Sequence, residues 1–270
     1  MSYETILFET RKNIALITLN RPEVLNGLNE QMIVDIRDAL NESDGNPEVK
    51  AVIITGSGKA FCSGADLSQA GDQSSPDTVQ LSPGDYIANF MYEQTNPLIL
   101  EITRHRKPII GAVNGTVAGG GVGLALAPDI VIASRSASFV QVFGPQLGIV
   151  PDMGTTWFLP RLIGHARSMA LALTGDKLSA EKASEWGLIW KCVDDDELMD
   201  ECFNLAEKLA GGPPLVYPYM KRVFSQSQKN SLQEQLDLET ESQRVLCSTE
   251  DFMEGAIAFM GKRKPNFKGK

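Results

Sequence analysis

Asp152 stands in the run Leu147-Gly-Ile-Val-Pro-Asp152-Met-Gly-Thr-Thr156, a carboxylate among apolar residues and glycine. Burial disfavours the charged form, so an acid placed there would have a raised pKa and suit general-base work. A local reading competes: an Asp in this position also caps a helix that starts at Met153. Two glycine turns could supply complementary groups. Gly119-Gly-Gly-Val-Gly123 follows one apolar run, and Phe61-Cys-Ser-Gly-Ala-Asp66 follows another. Glycine without Cβ lets a ligand approach bare backbone, and such turns expose free N–H groups. The first turn is not a dinucleotide fingerprint, because Leu124 stands where the third Gly belongs. Nor is it a Walker A loop, because Gly121 replaces the Lys in the count from Gly115. Each turn alone could be close packing or an ordinary bend. Two amide-rich turns after successive strands make an oxyanion hole conceivable.

The other reactive residues point nowhere comparable. His105, in Arg-His-Arg-Lys-Pro, reads as a solvated cation at a helix end. His165 opens a helix in Gly-His-Ala-Arg. Neither context suggests a Ser/His/Asp triad. Cys62 lacks an apparent base and reads as a small buried hydrophobe. The four cysteines (62, 192, 202, 247) include no C-x-x-C pair, and no metal-spaced His/Cys/carboxylate cluster stands out. No metal is expected.

The chain has 270 residues and a formal net charge of −9. That balance opposes nucleic-acid binding, which depends on neutralising phosphates. The most apolar stretch, Pro108 to Ala133, is broken by Asn114, glycines and Asp129, so no membrane span is expected. Few cysteines and no leader at the N-terminus suggest a cytoplasmic protein.

Several elements must position these residues. Tyr3–Thr10 and Ile14–Leu19 read as a hairpin turning at Arg11-Lys12-Asn13. Asn29 caps a helix that ends at Asp44-Gly45-Asn46. Ala51–Thr55, Ile109–Val113 and Asp129–Ala133 are β-branched runs typical of buried strands. Gln69–Gly84 is a polar surface loop, and Tyr86–Arg104 a helix bent or split at Pro97. Beyond Gly154 the pattern reads as helical throughout, and Ser231-Leu-Gln-Glu234 forms a capping box. The fold class is α/β, with a core over residues 1–200 and a helical arm over 201–270. An arm too small to bury its own apolar face would pack on a partner subunit.

Asn20-Arg21-Pro22, Phe61–Asp66, Asn114-Gly115, Ala118–Gly121, Pro151-Asp152-Met-Gly and Phe259 with Lys262-Arg263-Lys264 stand together in order. In these motifs the chain resembles the crotonase (enoyl-CoA hydratase/isomerase) superfamily over essentially its whole length. Gly148–Trp190 and the ending from Gln235 look most similar to the phenylacetate-pathway ring-1,2-epoxyphenylacetyl-CoA isomerase branch. The resemblance implies a spiral of ββα units with a C-terminal trimerisation arm, giving a homotrimer or a hexamer of paired trimers. It implies an acyl-CoA substrate and no cofactor, since coenzyme A is part of that substrate. It places the thioester oxygen on the backbone amides of Ala65 and Gly120. Val24, Leu25 and Ser63 would contact CoA, and Phe259 and Lys262 would reach a neighbouring subunit's CoA.

Hydratases of this family carry two glutamates. The first matches Gly123 here, and the second falls within Val142–Gln146, where no acid stands. Asp152 matches the position that similar isomerases use as base. The expectation is therefore an acyl-CoA isomerase that shifts a double bond or expands an aromatic epoxide to an oxepin. The alternatives are a hydratase of fatty-acid β-oxidation using another acid, such as Asp66 or Glu93, and a catalytically silent acyl-CoA- or RNA-binding trimer.

Overall fold

The computed structural model of the chain describes residues 3–66 and 81–270. The polar loop expected from Gln69 to Gly84 lies outside the described residues up to position 80. β1 (Ile6–Arg11) and β2 (Ile14–Leu19) form the expected hairpin. Lys12 and Asn13 both turn at positive φ, 51° and 66°, which matches the twist of the paired strands. α1 (Glu30–Gly45) starts at Asn29, whose side chain accepts a 2.9 Å hydrogen bond from the Met32 amide.

Next come β3 (Ala51–Gly56), β4 (Ala60–Cys62) and α2 (Pro83–Phe90). A π-helical turn, Met91–Thr95, leads into α3 (Asn96–Arg104); Phe90, Met91, Thr95 and Asn96 all keep right-handed helical angles, so the chain widens into a π-turn ahead of Pro97 rather than splitting. β5 (Ile109–Val113), β6 (Thr116–Ala118), α4 (Gly120–Leu126), β7 (Ile130–Ser134) and β8 (Ser138–Val140) follow. A second π-helical turn covers Phe143–Leu147 and precedes α5 (Thr155–Thr174), which breaks at Gly164.

The region beyond Gly154 is not helical throughout. β9 (Leu178–Ser179), α6 (Ala180–Trp186) and β10 (Lys191–Val193) interrupt it before α7 (Leu198–Ala210), α8 (Val216–Gln226), α9 (Leu232–Leu246) and α10 (Glu250–Met260). Both of these strands are too short to show a period of two. The capping box at Ser231 and Glu234 is formed as its spacing predicts.

The strands alternate between two sheets. One has the order β1-β2-β3-β5-β7-β10 and the other β4-β6-β8-β9. Each of β3/β4, β5/β6 and β7/β8 gives one strand to each sheet before the chain returns, which makes a spiral. The larger sheet is a layer between two cores. On β3, Val52 and Ile54 face the core shared with α1, α3 and α4, whereas Ala51 and Ile53 face the core containing Cys202 and Ala206 of α7. Both faces are covered, so the run is apolar throughout rather than alternating. Helix α7, which spans position 201, thus packs on the sheet, while α8–α10 continue beyond it.

His105 departs from the solvated reading. It is 6% exposed, with Nε2 3.2 Å from the Leu40 carbonyl and Nδ1 3.2 Å from the Lys107 amide. Each contact suits a neutral ring, and burial pushes its pKa below the ordinary value. A helix end buried against a neighbouring helix is no longer a solvated one.

Candidate active site

The two glycine turns come together where the smaller sheet ends. β4 pairs with β6 in parallel, which carries Ser63–Asp66 and Gly119–Gly121 to the same edge. A Cβ on Gly64 would meet the Gly120 amide nitrogen at 3.2 Å and the Ala118 carbonyl at 3.0 Å. Only glycine permits that approach, and Gly64 also turns at φ +95°. Leu28 bridges Ala65 by donating to the Gly64 carbonyl and accepting from the Asp66 amide. The Ala65 N–H therefore points away from Leu28. Among the described residues, neither the Ala65 nor the Gly120 amide has a backbone acceptor. Two unpaired donors on abutting turns are the arrangement an oxyanion requires.

Asp152 lies against the same turn. Its Oδ1 is 3.2 Å from the point where a Gly120 Cβ would sit. That oxygen is buried and has no hydrogen-bond partner. Burial pushes the carboxyl up to about 6, opposed only by its own backbone amide. The helix-cap alternative does not hold: α5 starts after Gly154, and no side chain caps it. A carboxylate spared from capping and lacking a cation is free to exchange a proton.

Apolar side chains stand beside the Gly119 turn. Val142 Cγ2 and Phe143 Cζ lie 3.3 and 3.8 Å from the Cβ position of Gly119. Phe143, buried in the second π-helical turn, thus occupies the stretch where an acid was sought and found missing in the sequence. At Gly123 a side chain would collide with the Met153 carbonyl oxygen and approach the Met153 Cβ to 2.7 Å. A glutamate cannot be placed there on this backbone. Met153 and Phe143 were not singled out from the sequence. The available signal was the glycine spacing itself, since Gly120 and Gly123 lie on one helix face and imply a tightly packed neighbour.

The other residues divide between two places. Val24 ends the 3-10 turn Pro22–Val24, and Leu25 follows at φ 53° with half its surface exposed. Ser63 is tied to both, its amide donating to the Leu25 carbonyl at 3.0 Å and its hydroxyl to that of Val24 at 3.3 Å. Buried Asn26 fixes this loop by bonding Ser57, Ala60 and Arg21. Phe259 and Lys262 are elsewhere in the chain, at the end of α10. Phe259 is 86% exposed and edges an apolar groove of about 500 Å³ between α8, α9 and α10.

Asp66 pairs with Arg21 at 2.8 Å, and Arg21 also holds the Gly27 carbonyl, so this acid braces the loop. Glu93 is exposed. Cys62 is buried, and desolvation pushes its thiol up to about 12, leaving it inert at neutral pH. His165 is exposed. Among the described residues no group of three His, Cys, Asp or Glu could hold a metal, and no helix is long and apolar enough to cross a membrane.

The family model described as enoyl-CoA hydratase/isomerase matches residues 9–270. The chain belongs to the enoyl-CoA hydratase/isomerase family. It is 42% identical to the 1,2-epoxyphenylacetyl-CoA isomerase of Escherichia coli (strain K12) over 267 residues, covering 99% of each chain. It is also 42% identical over 270 residues, covering 100% of each chain, to a Rhodobacter capsulatus protein named "Probable enoyl-CoA hydratase". The crystal structure of an enoyl-CoA hydratase from Bacillus anthracis superimposes with a TM-score of 0.89 at 31% identity, covering 99% of this chain and 100% of that one. The crotonase-type α/β spiral expected from the motifs is therefore the fold of this family member.

Proposed function

We propose that this enoyl-CoA hydratase/isomerase family member is an acyl-CoA isomerase. Asp152 is its base, and the thioester oxygen is held by the amides of Ala65 and Gly120. One observation carries the reading: a buried carboxylate oxygen without a partner lies against the Gly120 turn, which abuts the Ala65 turn, and position 123 has no room for a second acid. Two amides on the thioester oxygen stabilise the enolate formed when a neighbouring carbon loses a proton. Losing one such donor typically costs about 2.7–4 kcal/mol of barrier. Asp152 takes the proton at one carbon and returns it at another, so one group serves as base and then acid. Water addition usually employs a second acid–base group, and among the described residues none stands at position 123 or within Val142–Gln146.

Val24, Leu25 and Ser63 line the way for CoA, and the thioester arrives with no cofactor of its own. Phe259 and Lys262 serve a neighbouring copy in a trimer or hexamer; the exposed apolar face of α8–α10 supports that placement. The substrate is ring-1,2-epoxyphenylacetyl-CoA, as the name of the Escherichia coli relative suggests, or an enoyl-CoA whose double bond moves. The setting is cytoplasmic, with neither membrane nor nucleic acid as partner.

Incubation with a 3-enoyl-CoA, followed by absorbance and mass, tests this. A conjugated enoyl thioester at unchanged mass is expected, and Asp152→Asn should slow its formation by about 10³-fold while CoA-thioester binding persists. A product heavier by one water, or turnover untouched in the variant, would overturn the assignment.

A further inference from the structure

Met153 sits in a conformation its residue type resists. Its φ is +48°, in the left-handed region, where a non-glycine residue is strained. It is nevertheless 4% exposed and belongs to the main core. Its Sδ lies 2.8 Å from the point where a Gly120 Cβ would be, and Asp152 Oδ1 lies 3.2 Å from the same point. Sulfur and carboxylate oxygen therefore share the space over one glycine. On the next turn of α4, the Met153 backbone carbonyl fills the space that a side chain at Gly123 would need. Strain held at one residue beside an unpartnered acid persists only where the surroundings over-determine it.

We propose that Met153 is the positioning residue of this site: its left-handed backbone aims the Asp152 carboxylate across Gly120, and its buried thioether keeps water from that carboxylate. The inference rests on Asp152 being the base. Both halves follow from the packing. Were residue 153 in the ordinary helical region, the chain between Pro151 and Gly154 would leave Gly123, and the carboxylate would leave Gly120. Were the thioether absent, a void would open beside a polar oxygen lacking a partner, and such a void takes up water. The carboxylate's electrostatics are consistent with this role. Burial is the cause that raises it, and among the described residues no Lys, Arg, His, Asp or Glu on α3, α4, α5 or either π-helical turn acts on it.

The test uses Met153→Leu, Met153→Ala and Met153→Gly in the full chain. The readouts are the pH profile of kcat for a 3-enoyl-CoA, the deuterium content of product formed in D2O, and thermal stability. In Met153→Ala and Met153→Gly the midpoint of the profile should fall by about one pH unit and kcat about tenfold, with KM little changed. Deuterium in the product should rise, because water now exchanges the proton in transit. Met153→Gly relieves the backbone strain, so it separates loss of the thioether from loss of folding. Met153→Leu, which refills the space, should restore the midpoint. If the Ala and Gly variants lose stability but keep the parent's midpoint and deuterium content, Met153 is packing only and the inference falls. Turnover surviving Asp152→Asn would instead remove the base itself, whatever the Met153 variants do.

Discussion

Asp152 and Asp129 are both acids at the edge of a buried layer, and burial pushes both carboxyl groups up. Their surroundings differ. Asp129 Oδ2 accepts from the Ile109 amide at 2.7 Å and pairs with Lys221 Nζ at 2.7 Å; Lys221 also donates to the Lys107 carbonyl. That acid joins helix α8 of the arm to the strands beneath it. Asp152 Oδ1 has no partner and lies against the Gly120 turn, whose amide is unspent. Partners convert such an acid into a fastening, and their absence leaves its proton available. The direction of the shift and the residue type alone do not distinguish the two.

The largest effect should separate them by chemistry. Asp152→Asn should lower kcat for a 3-enoyl-CoA by about 10³-fold, within the usual range for a lost general base. Asp129→Asn should leave turnover per folded molecule near that of the parent. In the parent, kcat should rise with pH through about 6 and level off above it, because the base must be unprotonated. A flat profile over that range would erase the distinction between the two acids.

Stability should show the reverse. Asp129→Asn removes the charge facing the part-buried Lys221 ammonium and should cost about 1–2 kcal/mol in denaturant unfolding. Asp152→Asn should do the opposite at pH 8. The folded pKa of Asp152 lies above the ordinary value of 3.8, so the ionised folded state is penalised relative to the unfolded one. That penalty is absent below about pH 4 and complete above about 7. Removing it should stabilise the variant by about 2 kcal/mol at pH 8 and by nothing at pH 3.

The smallest effect concerns the same fastening from the other side. His105 lies behind it, neutral and buried, with a pKa below its ordinary value. The unfolded chain binds that proton first, so stability should fall as pH drops below about 6.5, the usual histidine value. His105→Gln should lose part of that acid-side slope in urea unfolding. An unchanged slope would place the titration elsewhere.

Much of this was legible in the residues. The hairpin, the Asn29 cap and the Ser231 capping box are local devices, each set by a few side chains acting on nearby backbone. The strands β3, β5 and β7 announce themselves because both faces are buried. β4, β6, β8 and β10 have three residues each and show no readable period, yet β4 and β6 lead into the two glycine turns of the site. His105 misled because its neighbours Arg106 and Lys107 are charged. Lys107 itself reaches back to the Ser43 and Asn46 carbonyls, closing the histidine off.

For the site, residue types alone give the chemical inventory: one acid in an apolar run, two glycine turns, and no acid at position 123 or within Val142–Gln146. They also carry the family motifs. Packing determines that Asp152 does not cap α5 and that Met153 fills the space left by the glycines. Capping is settled by backbone angles at Met153 and Gly154, and filling by contacts across thirty residues of chain. Residue types fix what a group can do. The distance between groups far apart in sequence depends on the packing of all the elements between them, and no local pattern encodes it.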